Sequence, residues 1–136
     1  MDAKSRALEF FEGLNSRDVS AALAGFADDA TYLGIEEAEG TLRRKELVGK
    51  QAIHDYLTSF VELSDSYLHY DVVNLVAEGP VVMAEWTDVA RNRDGREYRN
   101  HGVNTWELDD QGRVIRAKSF PNWDSLSAFD YTGRSR

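Results

Sequence analysis

From Tyr67 onward the chain is a run of alternating segments closed by turn signals, and this punctuation limits the available folds more than any other feature. "YLHYDVVNLVAEG" ends at Gly79-Pro80, "VVMAEWTDVARNR" runs into Asp94-Gly95, "REYRNHGVNTWEL" ends in "DDQG", and "RVIRAKSFPNW" completes the series. Turn residues between period-two runs signal antiparallel hairpins, so this half predicts a four-strand meander. The first half has another period. "SRALEFFEGLN" puts Ala7, Phe10, Phe11 and Leu14 on one helical face, and "KQAIHDYLTSFVEL" does the same with Ile53, Tyr56, Leu57, Phe60 and Val61. Between them, "SRDVSAALAGFA" predicts a helix capped by Ser16 or Asp18, "ATYLGI" a strand, and the polar "EEAEGTLRRKELVG" a loop with a short extended piece. Helices followed by a meander indicate an α+β fold. With no internal repeat or linker, residues 1–136 are expected to form one domain.

Composition removes several function classes. A net charge of −8, with basic residues scattered among acids, argues against a nucleic-acid surface. The absence of cysteine excludes disulfides, thiolate metal ligands and a cysteine nucleophile. The amino terminus lacks the apolar stretch of a secretory signal and no run reaches membrane-spanning length, so a cytoplasmic protein without membrane contact is expected. No His/Asp/Glu grouping has metal-ligand spacing, and neither a metal nor a cofactor is predicted.

Strand parity sorts the candidate residues. Val82, Ala84, Trp86 and Asp88 share one side of the second strand, and Tyr98, Gly102, Asn104, Trp106 and Leu108 one side of the third. In the fourth, Ile115, Ala117 and Ser119 oppose Arg116 and Lys118. The less charged sets should face the helices, which leaves Asp88 as a carboxylate on an otherwise apolar face. His69 and His101 fall on outward faces, and His54 lies off the helical stripe.

The order of elements, with "FADDATYLG", "VGKQAIHDYL", "AEWTD" and "DDQGRVIRAKSF", resembles the nuclear-transport-factor-2-like (NTF2-like) superfamily. Within it the chain is similar to the SnoaL-like branch of ketosteroid isomerases, polyketide cyclases and limonene-epoxide hydrolases. The resemblance implies a curved, mostly antiparallel sheet wrapped by three helices, a cone with a deep apolar pocket. It also implies positions. Gly34 stands where an isomerase places its carboxylate base, Asn104 where it places a protonated aspartic acid, and Phe10 where it places an oxyanion-binding tyrosine. Against the epoxide hydrolases, Tyr32 and Asp88 match, while Gly34 replaces an asparagine, Trp86 an arginine and Ser119 an aspartate. The cyclases' acid/base aspartate also falls at Ser119.

Asp88, Tyr32 and Asn104 are therefore the catalytic candidates. Desolvation beside Trp86 and Trp106 would raise the Asp88 pKa into the acid/base range. The competing reading pairs Asp88 with Arg91 and leaves Tyr32 and Asn104 as satisfied core groups. Trp86, Trp106, Tyr56, Phe10, Ser119 and Phe120 are the candidate substrate contacts. The expected function is cofactor-independent isomerisation, cyclisation or hydration of a hydrophobic, polyketide- or terpene-like molecule. Epoxide hydrolysis and non-catalytic ligand binding are the alternatives. Val81, Met83 and Val89 on the outer face would suit a homodimer, and "SLSAF" resembles a short terminal helix.

Overall fold

A computed structural model describes residues 2–64, 67–91 and 95–122. The elements follow in the order α1 (Ala3–Asn15), α2 (Val19–Ala22), β1 (Phe26–Ala38), β2 (Thr41–Val48), α3 (Lys50–Leu63), β3 (Tyr67–Glu78), β4 (Val81–Arg91), β5 (Glu97–Leu108) and β6 (Val114–Pro121). The six strands form one sheet in the order β2-β1-β6-β5-β4-β3. β3 to β6 are the expected antiparallel meander, and β1 closes onto β6 in parallel. α1 packs on β3 and β4 while α3 packs on β1 and β2, so the two helices cover opposite halves of the inner face. The fold is α+β, as expected. Trp123 and "SLSAF" lie outside the described residues.

The helices begin where side chains satisfy their first free N–H groups. Asp2 accepts from Ser5 N at 2.8 Å to start α1. Asp18 accepts from Ala21 N at 3.0 Å to start α2, whereas Ser16 closes α1 instead. The second helix is much shorter than the sequence suggests. Its expected last turn is already strand, because Phe26 pairs with Val114 of β6 and Val114 N donates to Gly25 O at 2.9 Å.

The polar segment after "ATYLGI" is not a loop. It completes β1, turns at Glu39-Gly40 and returns as β2. Both turn residues have positive φ (54° and 79°), as a two-residue hairpin turn demands. Most side chains of β2 are exposed, so there was no buried face to print an alternating pattern. Cross-strand charge takes its place. Arg43 donates to Glu36 at 2.7 Å and Lys45 lies 3.7 Å away, holding the Glu36 carboxyl below the usual range.

Parity holds on β4 and β5, where Val82, Ala84, Trp86, Asp88 and Ala90 face inward with Tyr98, Asn100, Asn104, Trp106 and Leu108. On β6 it slips. A bulge lets Val114 oppose Leu108 while Arg116 opposes Glu107, so Val114 takes the core and Ile115, expected inward, is only half-buried. Val81 and Met83 are on the exposed outer face as expected, with Val89 half-buried.

Candidate functional site

Between α1, α3 and the inner face of the sheet lies a cavity of about 40 Å³. Its wall includes Phe10 from α1, Tyr32 from β1, Tyr56 and Phe60 from α3, Tyr70 from β3, Trp86 and Asp88 from β4, Tyr98 and Asn104 from β5, and Ser119 from β6. Among the described residues, the lining carries one carboxyl group and no basic side chain.

Asp88 is the charged group of this site. It is 3% exposed, and its Oδ1 is buried without a hydrogen-bond partner among the described residues. Burial pushes its pKa up to about 7, against the smaller opposing pull of the Asn100 and Asp88 backbone N–H groups and the Tyr70 hydroxyl. The rival pairing with Arg91 does not form. The Arg91 guanidinium is half-exposed and lies 3.7 Å from Glu97. Asp88 thus faces a cavity whose described lining is neutral, an arrangement suited to picking up and releasing a proton near neutrality.

The neighbours are held by further bonds. Tyr70 is the direct cross-strand partner of Asp88. Asn15, at the end of α1, clamps the Tyr70 backbone at both groups: Tyr70 N donates to Oδ1 at 2.7 Å and Nδ2 donates to Tyr70 O at 2.9 Å. The Asn100 amide donates to the Tyr98 hydroxyl and to Asn122 O, and its Oδ1 accepts from His101 N at 2.8 Å. The Tyr98 pKa is raised, first by burial and then by the Asp88 charge, so Tyr98 keeps its proton.

Tyr32 is buried and shares a hydrogen bond with Ser119; burial, then the nearby Tyr56, raises its pKa. It too is a donor rather than a phenolate. Asn104 accepts from Trp86 Nε1 at 3.0 Å. Since an indole nitrogen only donates, this bond fixes Oδ1 towards Trp86 and leaves Nδ2 as the group available to the cavity.

Of the nine residues nominated from sequence, seven line this cavity: Asp88, Tyr32, Asn104, Trp86, Tyr56, Phe10 and Ser119. Two do not. Trp106 is sealed in the core, edge-on to Phe10 and Phe11 with ring centroids 5.6 Å away in each case. Phe120 faces outward, 40% exposed, under the Arg44 guanidinium. His101 is exposed, as parity indicated, and no bulge turns it inward.

Sequence reading missed Tyr70 and Asn100, and it placed Tyr98 on the inner face without nominating it for the site. Parity alone could have found Asn100, which alternates with Tyr98 and Gly102. Tyr70 was hidden. Counting outward from Gly79-Pro80 puts Asp71 opposite Asp88, but an extra residue at Val73 shifts the register and puts Tyr70 there.

Gly34, where resemblance implies a carboxylate, is filled from another element. A Cβ on Gly34 would lie 2.8 Å from the Tyr56 Cζ, so the Tyr56 ring occupies that space. Ile35 N donates to the Tyr56 hydroxyl at 3.0 Å and holds it there.

A curved six-strand sheet, folded over a helix-covered interior that holds a few polar groups, is an NTF2-like fold. Solved structures agree. The chain is similar to an NTF2-like protein from Anabaena variabilis (TM-score 0.75, 16% identity, covering 90% of this chain and 88% of that one). It is also similar to the Δ5-3-ketosteroid isomerase from Mycobacterium sp. (TM-score 0.72, 18% identity, 89% and 93% covered). A third similar structure is SalBIII, an epoxide hydrolase/cyclase-like enzyme in pyran ring formation in the polyether salinomycin (TM-score 0.72, 20% identity, 90% and 92% covered). At these identities the likeness is one of fold. By sequence, no curated protein matches the chain. The chain belongs to the SnoaL-like domain family, whose model matches residues 7–117.

Proposed function

We propose that the protein is a cofactor-independent enzyme that moves a proton within a hydrophobic, oxygenated small molecule, in an isomerisation, cyclisation or hydration. One observation carries this reading: a buried carboxyl group, with one oxygen lacking a partner among the described residues, faces a cavity whose described lining offers neutral hydrogen-bond donors and no cation.

In this mechanism Asp88, ionised, takes a proton from carbon beside a substrate carbonyl. The C–H electron pair moves into the carbonyl system, and negative charge gathers on oxygen. The Tyr32 hydroxyl or the Asn104 amide donates to that oxygen, stabilising it without giving up its own proton. Asp88, now a neutral acid, returns the proton at another carbon, and the carboxylate is restored. The absence of a charged partner keeps both forms of Asp88 accessible near neutral pH.

Deuterium exchange tests this without knowledge of the natural substrate. Small ketones in heavy water should lose their α-protons faster with the protein than with buffer, followed by NMR. The rate should rise with pH and level off above about 7, where the base form dominates. Asp88→Asn should abolish the acceleration while leaving affinity within a few-fold. Exchange that survives in Asp88→Asn removes this residue from the mechanism, and no exchange with any ketone favours a binding protein.

The homodimer belongs to the same proposal. Val81, Met83, Val103 and Phe120 on the outer face of β4 to β6 are each more than a third exposed, an apolar surface that a second copy would cover.

A further inference from the structure

We propose that Tyr56 sets the size limit of this cavity, and that the substrate is a compact oxygenated molecule no larger than a single six-membered ring. The inference rests on the cavity being the substrate site, as proposed above, and narrows what that site admits.

Asp88 lies on β4 and Gly34 on β1, three strands apart across the curved sheet. At neighbour spacings of about 4.8 Å, an interior spanning them could hold a molecule of several rings. It does not, because α3 sends the Tyr56 ring into that span. Two ring atoms (Cζ and Cε2) and the hydroxyl oxygen Oη of Tyr56 lie 2.8, 3.0 and 2.9 Å from where a Gly34 Cβ would be, so the phenol lies against bare backbone. Its other side meets Tyr32, with ring centroids 5.8 Å apart. The bond from Ile35 N fixes the hydroxyl end. Ile53 and Leu57, on the same helical stripe, are buried and anchor the backbone that carries the ring.

What remains is about 40 Å³. A water needs roughly 10–15 Å³ by this measure, and an engineered apolar cavity that takes benzene is roughly 150 Å³. The space therefore suits a few waters or a small acyclic molecule. A single ring requires Tyr56 to yield, and a fused ring system requires its removal. Tyr56 is only half-buried, unlike Tyr32, so its ring has solvent on one side into which it can yield. Gly34 and Tyr56 thus form one unit in which a missing side chain on β1 is exchanged for a ring from α3.

The test uses the full chain and three ketones of increasing size: cyclohexanone, a decalone and a four-ring steroid ketone. Affinities are read from two-dimensional NMR titrations. For the unaltered protein, the decalone and the steroid should bind at least ten-fold more weakly than cyclohexanone. Tyr56→Ala should bind the decalone at least ten-fold more tightly than the unaltered chain does. Tyr56→Leu, which keeps more of the apolar contact, guards against loss of fold and should move in the same direction. Tyr56→Phe keeps the ring and should keep the original ranking.

Equal binding of all three ketones by the unaltered protein overturns the proposal. So does a ranking that neither truncation changes, and so does failure of every variant to bind any of them. Asp88→Asn separates this from the acid/base reading. It should lose exchange activity but keep the size ranking, so a chemistry failure and a size failure appear in different measurements.

Discussion

Asp88 should make the protein less stable as the pH rises from about 4 to 7, and Asp88→Asn should remove that loss. In the unfolded chain the carboxyl ionises near its ordinary value of 3.8, whereas in the fold it holds its proton up to about 7. Between those values the folded state binds more protons than the unfolded state, so unfolding free energy falls with increasing pH. The contribution is fully present below about 4, declines through the window, and is gone once the folded group has ionised. At about 1.36 kcal/mol per pH unit, the interval corresponds to about 4 kcal/mol, an order-of-magnitude figure. Asparagine has nearly the same shape, cannot ionise, and keeps an oxygen to accept the Tyr70 and backbone hydrogen bonds. Urea denaturation of both proteins at several pH values between 4 and 8 gives the difference directly. Titration of the other carboxylates is common to both proteins and cancels. The stability of Asp88→Asn relative to the unaltered chain should climb by up to about 4 kcal/mol across the window and then level off. A flat difference, or one of opposite sign, would refute the assignment of Asp88 as a desolvated acid without a cationic partner.

Tyr70→Phe should move the same transition to higher pH, because the Tyr70 hydroxyl bond favours the charged form of Asp88. Carbon-13 NMR of the Asp88 carboxyl carbon measures this, and an unchanged or lower midpoint would show that the bond does not bias ionisation. Met83→Lys combined with Val103→Asp should convert the proposed dimer to monomer, as read by sedimentation equilibrium at several concentrations. A monomer before substitution would remove the outer face as a contact between copies.

The sequence was most readable where one face of an element is wet and the other dry. Val82, Ala84, Trp86 and Asp88 printed their parity, and the structure buries all four. The hairpin through Glu39-Gly40 was unreadable by the same logic, since β2 exposes most of its side chains and prints no alternating stripe. Parity also fails wherever a single residue is added. Val73 and Ile115 sit at two such points, and they moved Tyr70 onto Asp88 and Ile115 out of the core. Resemblance supplied Gly34 as a gap but not what fills it. The filling residue comes from a helix sixteen or more residues further along, and no pattern within β1 encodes that contact.

The two outermost strands carry one more consequence. β2 presents Arg43, Arg44, Lys45 and Glu46 to solvent, and β3 is interrupted at Val73. Charges and interruptions of this kind stop a foreign strand from zipping onto a sheet. Both rims are guarded in this way, so assembly by strand addition, with its risk of runaway fibre growth, is disfavoured. The back-to-back pairing proposed above would then form without polymerising.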